Sequence, residues 1–352
     1  MVKDFLIVGQ GIAGSALAYK LIQSGKSVLV IDQEPPSSSS RVAAGLFNPV
    51  VFKRITFGWR AMEALAELNI FYQEVEITTH AQFYFPQTMF RIHGSEGERI
   101  SWLKFKKESP YDEFLGNEEL SSKRPFFYQL FGGALVNNTG YVNAKEYVDE
   151  IKKWLLSKDS YQNAVLDYKE VELKKNNVSW NGIEAEKIIF CEGYKAEHNP
   201  FFNYLPFSTA KGEELIIECK DIEQELFNGS IYGIPKGNNI FKIGSTFAWN
   251  QVDEFVTKEA REEIVNKFTK ISNAPFKILD QNAGIRPAVK DRRPFVGLHP
   301  TFPQLGIFNG MGTKGISLSP LLANEFVAHL INNTPLDAEC DIKRYEKNLI
   351  NS

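Results

Sequence analysis

Apolar residues along this chain alternate between two spacings. Phe5-Leu6-Ile7-Val8 is an unbroken apolar run short enough for a buried strand, and Ser15 to Ile22 carries apolar positions at helical spacing. The glycine turn Gly9-Gln10-Gly11-Ile12-Ala13-Gly14 separates them, and a second apolar strand, Val28 to Ile31, ends at Asp32. A long helical pattern follows from about Gly58 to Glu76, with Leu65, Leu68, Phe71 and Tyr72 on one side. From about Ala81 the spacing changes to aromatic-rich strands, Gln82 to Phe85 and Met89 to Ile92.

Asn143 reads as an N-cap, with Glu146 completing a capping box ahead of Tyr147, Val148, Ile151, Trp154 and Leu155. Asn163 to Leu173 and Asn177 to Trp180 read as a hairpin, and Lys187 to Cys191 as a buried strand closed by Glu192-Gly193. Glu214 to Glu218, Ser230 to Pro235 and Asn239 to Thr246 have strand spacing and suit an antiparallel sheet, with Gly237-Asn238-Asn239 as a turn. A helix is expected over Thr257 to Ser272. The last block opens at Gly284 and ends in a helix from about Ser319 to Leu330, with Pro320 in its first turn.

The order of elements predicts an α/β fold: a Rossmann-like dinucleotide-binding domain interrupted by an antiparallel-sheet α+β substrate domain. The first is expected to use residues 1–80, 138–204 and 280–352, and the second 81–137 and 205–279. A length of 352 residues suits about two domains. With 43% apolar and 24% charged residues the composition is that of a soluble globular protein, without a secretion signal or an apolar run able to span a bilayer.

A net charge of −3 gives no reason to expect nucleic acid, and the cluster Lys104-Phe105-Lys106-Lys107 reads as a solvated helix face. Cys191, Cys219 and Cys340 form neither a disulfide framework nor a metal pair, which suits a reducing cytoplasm. The five histidines, at 80, 93, 198, 299 and 329, lack metal-ligand spacing, and no metal is expected.

Candidate chemistry begins at the first turn. Gly9 permits a tight turn, Gly11 lets the backbone approach a diphosphate at the N–H groups near Ile12 and Ala13, and Gly14 lets helix pack on strand. Asp32, with Gln33 beside it, is placed to hold a ribose hydroxyl. Ser37 to Ser40 read as a flexible loop, whereas Arg41-Val42-Ala43-Ala44-Gly45 offers small residues against which a flat ligand can lie. Gly193 ends a returning strand. A second glycine-rich approach to a helix, with Gly310, Gly312, Thr313, Lys314 and Gly315, favours FAD over a nicotinamide dinucleotide, because a reduced flavin gains from N–H groups near its developing negative charge.

At this point the chain resembles the FAD-dependent amino-acid oxidoreductases of the D-amino-acid oxidase superfamily, which includes glycine oxidase, sarcosine oxidase and D-amino-acid dehydrogenase. The matches run in the family's order: Gly9, Gly11, Gly14 and Asp32; Ala43-Ala44-Gly45 with Pro49; Gly140 to Asn143; Gly193; Gly244-Ser245-Thr246; Gly284-Ile285-Arg286-Pro287 with Asp291 and Pro294; and the C-terminal glycines. The resemblance implies that Arg286 grips a substrate carboxylate and that Lys242 stands over the flavin to assist oxygen. Read from residues alone, Arg286 could instead pair with Asp291 or Asp280, and Lys242 could face solvent.

Tyr232, Phe247, Trp249 and Trp59 are the aromatics placed for a substrate pocket. The pair before Gly193 is Cys191-Glu192 where the family has small residues, which puts a carboxylate near the expected cofactor. No cysteine lies between Cys219 and Cys340, so the FAD is expected to be non-covalent.

The function implied is oxidation of the C–N bond of a small amino acid or secondary amine to an imine, with oxygen or another acceptor reoxidising the flavin. Gly45-Leu46-Phe47-Asn48-Pro49 is also similar to the FAD domain of the bifunctional tRNA wobble-uridine modifying enzyme. The acidic charge balance and the lack of a methyltransferase domain weigh against that reading. A flavin-binding protein without amine chemistry is the alternative from another class.

Overall fold

The structure, a computed structural model, describes residues 2–33, 38–119, 121–249 and 253–350. Its first sheet is built on five parallel strands in the order Tyr161–Asn163, Val28–Asp32, Lys3–Val8, Ile183–Phe190 and Leu305–Asn309. These strands are covered on both faces, so their apolar runs need no alternation. Ile7, Val30, Ile188 and Ile189 are fully buried.

Helices Ile12–Gln23, Ala61–Thr79, Ala144–Leu156 and Gly315–Asn332 share one core with one face of this sheet, with Leu17, Leu68, Ile151 and Leu322 at its centre. The first helix packs close to the strand that precedes it. A methyl group on Gly14 would overlap the Gly9 carbonyl oxygen, the role expected of that glycine.

Among the described residues the second sheet has nine strands, and Ala210–Glu218 lies next to one edge of it. Ile240–Gly244 and Ala248–Trp249 pair with one edge of that strand, and Lys277–Arg286 pairs antiparallel along its other edge. The antiparallel expectation holds with one exception, because Leu226–Asn228 runs parallel to Met89–Ile92. The strand Lys277–Arg286 lies wholly in this sheet, so the boundary expected at residue 280 falls inside a strand.

Local expectations fail where tertiary partners intervene. Asn143 caps its helix by position, but its side chain makes no capping bond. Its N–H is given to the Phe83 carbonyl at 2.7 Å, which leaves Glu146 nothing to accept. Tyr161–Asn163 joins the parallel sheet, and the hairpin is reduced to Glu172–Leu173 against Val178–Trp180. The last long helix starts at Gly315, which puts Pro320 inside the helix and not in its first turn. The expected turn at Gly237, Asn238 and Asn239 has positive φ at all three residues.

Ser37 lies outside the described residues, while Ser39 and Ser40, expected in a loop, begin the short helix Ser39–Val42. Among the described residues no helix is long and apolar enough to cross a membrane, and no group of three or more His, Cys, Asp or Glu could hold a metal ion.

Glu98 gives the second sheet a measurable pH response. Burial opposes its ionisation, but contacts from His93 and from Arg91, whose guanidinium meets both carboxylate oxygens at 2.7 and 3.0 Å, outweigh it and pull the pKa down to about 2. A carboxyl depressed on folding stabilises fully above its unfolded pKa and loses that contribution as pH falls through the folded one. Stability should therefore decline between about pH 5 and pH 2. Urea titrations across that range should show a flatter acid limb for Glu98→Gln, and equal slopes would refute the assignment.

Candidate functional site

A cavity of about 620 Å³ opens at the carboxyl ends of the parallel strands, between them and the second sheet. Open α/β sheets bind ligands at this place, and the volume lies in the range of about 300–1,000 Å³ found for small-molecule sites. Two helix N-termini meet there. A methyl group on Gly315 would lie 3.8 Å from Ile12 Cγ2, so the helices that start at Ile12 and Gly315 begin side by side although they come from opposite ends of the sequence.

The first turn is held by its own carboxylate. Gly9 has φ +101° and its N–H donates to the Ile31 carbonyl at 2.8 Å, while the Gln10 N–H donates to Asp32 Oδ2 at 2.7 Å. Ser40 Oγ accepts the Ile12 N–H at 3.0 Å, which places a hydroxyl on the helix end. Gly45 closes the middle of the site with φ +76°, and a side chain there would overlap the Val142 carbonyl.

The cavity wall contains Gly9, Gly11, Ile12, Ala13, Asp32, Gln33, Ala43, Ala44, Gly45, Gly193, Gly284, Gly312, Thr313, Lys314 and Gly315, all expected at the cofactor. Three of the expected residues stand outside the wall. Gly14 serves helix packing, Arg41 is paired with Asp149 at 2.6 Å, and Gly310 packs against Val289 and Phe295. Lys314 lines the cavity, and desolvation lowers its pKa.

Arg286 lines the far end from the second sheet. It donates from Nη1 to the Lys211 carbonyl at 3.2 Å, and from Nη2 to Ser245 Oγ at 2.8 Å and the Thr246 carbonyl at 3.3 Å. Neither Asp291 nor Asp280 reaches it. Asp291 binds Arg344 and Tyr345, and Asp280 accepts the Gln281 N–H. Among the described residues no carboxylate forms a salt bridge with this guanidinium, and burial lowers its pKa. Gly212 makes the space, since a methyl group there would overlap the guanidinium.

The aromatics divide. Tyr232 lines the cavity, and burial followed by the Glu214 charge raises its pKa. Phe247 lies under the Arg286 guanidinium at 4.8 Å and packs edge-on against Trp249, but both rings are about half exposed and neither is in the wall. Trp59 is not part of the wall: its indole donates to Glu339, and Arg60 and Arg293 stack on its ring. It precedes a helix that turns towards the protein's C-terminal segment, so sequence position misplaced it.

Lys242 is neither solvent-exposed nor part of the wall. Its ammonium is buried behind Glu214 at 2.7 Å and donates to the Val42 and Ala43 carbonyls at 3.1 and 3.2 Å, so it fixes the small-residue segment in place.

Residues outside the expected set also line the cavity. Glu192 does, as its departure from the family pattern suggested; Tyr168 OH and Asn199 Nδ2 donate to it at 2.6 and 2.8 Å, and burial keeps its pKa raised. Ser38 to Ser40, Glu213, Glu214 and Asn309 line it without having been singled out as ligands. The serines read as a loop because their hydroxyls give no periodic signal.

Fold and site together define an oxidoreductase architecture for an elongated dinucleotide: a carboxylate at a strand end, two helix N-termini on one cleft, and a guanidinium beyond them. The chain belongs to the FAD dependent oxidoreductase family of the D-amino-acid oxidase type, which it matches over residues 4–329. It is 22% identical to glycine oxidase of Bacillus subtilis, over 96% of this chain and 95% of that one. It is also 22% identical to the tRNA 5-methylaminomethyl-2-thiouridine biosynthesis bifunctional protein MnmC of Legionella pneumophila, over 93% of this chain but only 54% of that protein.

Among solved structures, glycine oxidase from Bacillus cereus superposes with a TM-score of 0.79 at 20% identity, covering 95% of this chain and 96% of that one. Iminodiacetate oxidase from Chelativorans sp. gives 0.80 at 19% identity, covering 97% and 98%. The cofactor is FAD, and the donors on the wall fit it: the Asp32 carboxylate suits a ribose, and the paired helix N-termini suit a diphosphate and an electron-rich ring.

Proposed function

We propose that this protein oxidises the C–N bond of a small amino acid or secondary amine that carries a carboxylate. The observation that carries this reading is Arg286, a guanidinium on the cavity wall whose hydrogen bonds all go to neutral oxygens. A planar fork of this kind binds a carboxylate through two parallel charge-assisted hydrogen bonds. The FAD, when bound, supplies the hydride acceptor.

The chain's part is positional. Arg286 fixes the carboxylate, Ser245 and the Lys211 and Thr246 carbonyls fix Arg286, and Phe247 covers its outer face. The cofactor is held without a covalent bond: Cys191, the cysteine on the wall, is buried, and that burial raises its thiol pKa, leaving it a neutral, poor nucleophile.

Anaerobic mixing of the yellow holoprotein with glycine, sarcosine, proline and a set of D-amino acids should decolourise it with at least one of them. A panel that leaves the flavin oxidised throughout would end this reading.

The half-exposed pair Phe247 and Trp249, beside Arg286, favours a second reading, since a nucleobase can stack there while an attached carboxylate reaches the guanidinium. Bleaching by carboxymethylaminomethyl-uridine-containing tRNA and not by free amino acids would select it.

A further inference from the structure

We propose that Glu214 anchors the substrate's amino group and accepts its first proton, so that the cavity selects α-amino acids, primary or N-alkylated, in their zwitterionic form. This rests on the carboxylate role proposed for Arg286. Glu214 lines the same cavity as Arg286, and its side chain, 6% exposed, is nearly sealed from bulk water.

The two residues sit on adjacent strands. Ala210–Glu218 pairs with Lys277–Arg286, and each of the two charges acts on the other. The wall therefore presents a fixed positive and a fixed negative group to one small space. An α-amino acid carries the complementary pair on neighbouring atoms. A simple carboxylic acid would satisfy Arg286 but bring no cation to Glu214, whose ion-pair partner would remain Lys242.

The neighbours of Glu214 suit proton acceptance. Lys242 Nζ lies 2.7 Å from Oε1, and the same ammonium also donates to the Val42 and Ala43 carbonyls. Lys236 and Arg286 add positive charge, and Tyr232 adds a neutral phenol. Glu213, the neighbour on the same strand, is turned to Thr257 and Gln281.

In the step proposed, one N–H bond of the substrate ammonium breaks, its electron pair stays on nitrogen as the amine lone pair, and the proton bonds to a Glu214 carboxylate oxygen. Lys242 keeps its two carbonyl partners when Glu214 becomes neutral. Burial holds the Glu214 carboxyl above its ordinary range in spite of Lys242, so its affinity for a proton is increased.

The test compares wild-type and Glu214→Gln holoprotein, titrated anaerobically with acetate and with sarcosine, reading Kd from the perturbed flavin spectrum. Sarcosine should bind about tenfold or more weakly to the variant, while acetate changes less than about twofold. The wild type's preference for sarcosine over acetate should fall as pH is lowered through the carboxyl titration, and the variant's should not.

Equal weakening of both probes, unchanged sarcosine binding, or an identical pH profile in the variant would overturn the proposal. Acetate binding to the wild type without sarcosine binding would overturn it alone, whereas binding of neither would also remove the Arg286 reading. If Glu214→Gln fails to retain flavin because Lys242 is left unpaired, the double variant Glu214→Gln, Lys242→Met removes both charges and takes the same test.

Discussion

Arg286→Leu should lose the anaerobic bleaching response to amino acids while still purifying with FAD. Two charge-assisted hydrogen bonds to a carboxylate contribute about 1.5–3 kcal/mol each, so their removal should lower apparent substrate affinity about 10²- to 10⁴-fold. Folding should tolerate the change. Among the described residues the guanidinium is hydrogen-bonded to the Lys211 carbonyl and to Ser245 and Thr246 in the loop after Ile240–Gly244, and its burial already disfavours the charge, so a leucine replaces a desolvated ion with an apolar group. The glycine turn and both helix N-termini are built from other residues. Flavin content and bleaching, measured on one preparation, separate the outcomes: loss of FAD in parallel with loss of bleaching would remove Arg286 from substrate recognition.

Gly14→Ala should fail in the opposite way, losing FAD and stability together. The added methyl group would overlap the Gly9 carbonyl oxygen and lie 3.2 Å from Cys191 Cβ, and the first of these is backbone that cannot rotate away. The helix would have to withdraw from the strand end, which moves Ile12 and Ala13, both on the cavity wall. Overpacking of this kind costs about 1–3 kcal/mol, about 1–4 °C in thermal midpoint for a chain of this size. Gly58→Ala is the control, since its methyl group would meet nothing closer than 3.8 Å. A yellow Gly14→Ala protein melting with the wild type would refute the packing argument.

The sequence made the cofactor end of the cavity legible and left the substrate end largely hidden, for a physical reason. Gly9, Gly11, Gly14 and Asp32 are close in sequence and each answers a local backbone demand, so spacing alone identifies them. The glycines near 312–315 are distant, yet a glycine-rich approach to a helix is again a local signal. Glu214 and Lys242 become neighbours only through the pairing of Ile216 with Lys242 and Glu214 with Gly244.

Strand alternation states which side chains share a face, not what stands across from them, so Lys242 fitted solvent as well as a site. Gly212 gave no signal because its purpose lies in a guanidinium from residue 286. Trp59 was misplaced for the same reason: its partners, Arg293 and Glu339, come from the other end of the chain.

The adjacency of the helix starts at Ile12 and Gly315 also constrains how the protein is made. The strand Leu305–Asn309, which leads to the second start, docks beside Ile183–Phe190, itself docked on Lys3–Val8. On a translating ribosome the helix start at Ile12 emerges well before its counterpart at Gly315 exists. Flavin capture that uses both helix starts should therefore follow the emergence of Gly315, and until Leu305–Asn309 docks the strand Ile183–Phe190 leaves an open parallel edge that a chaperone would have reason to cover.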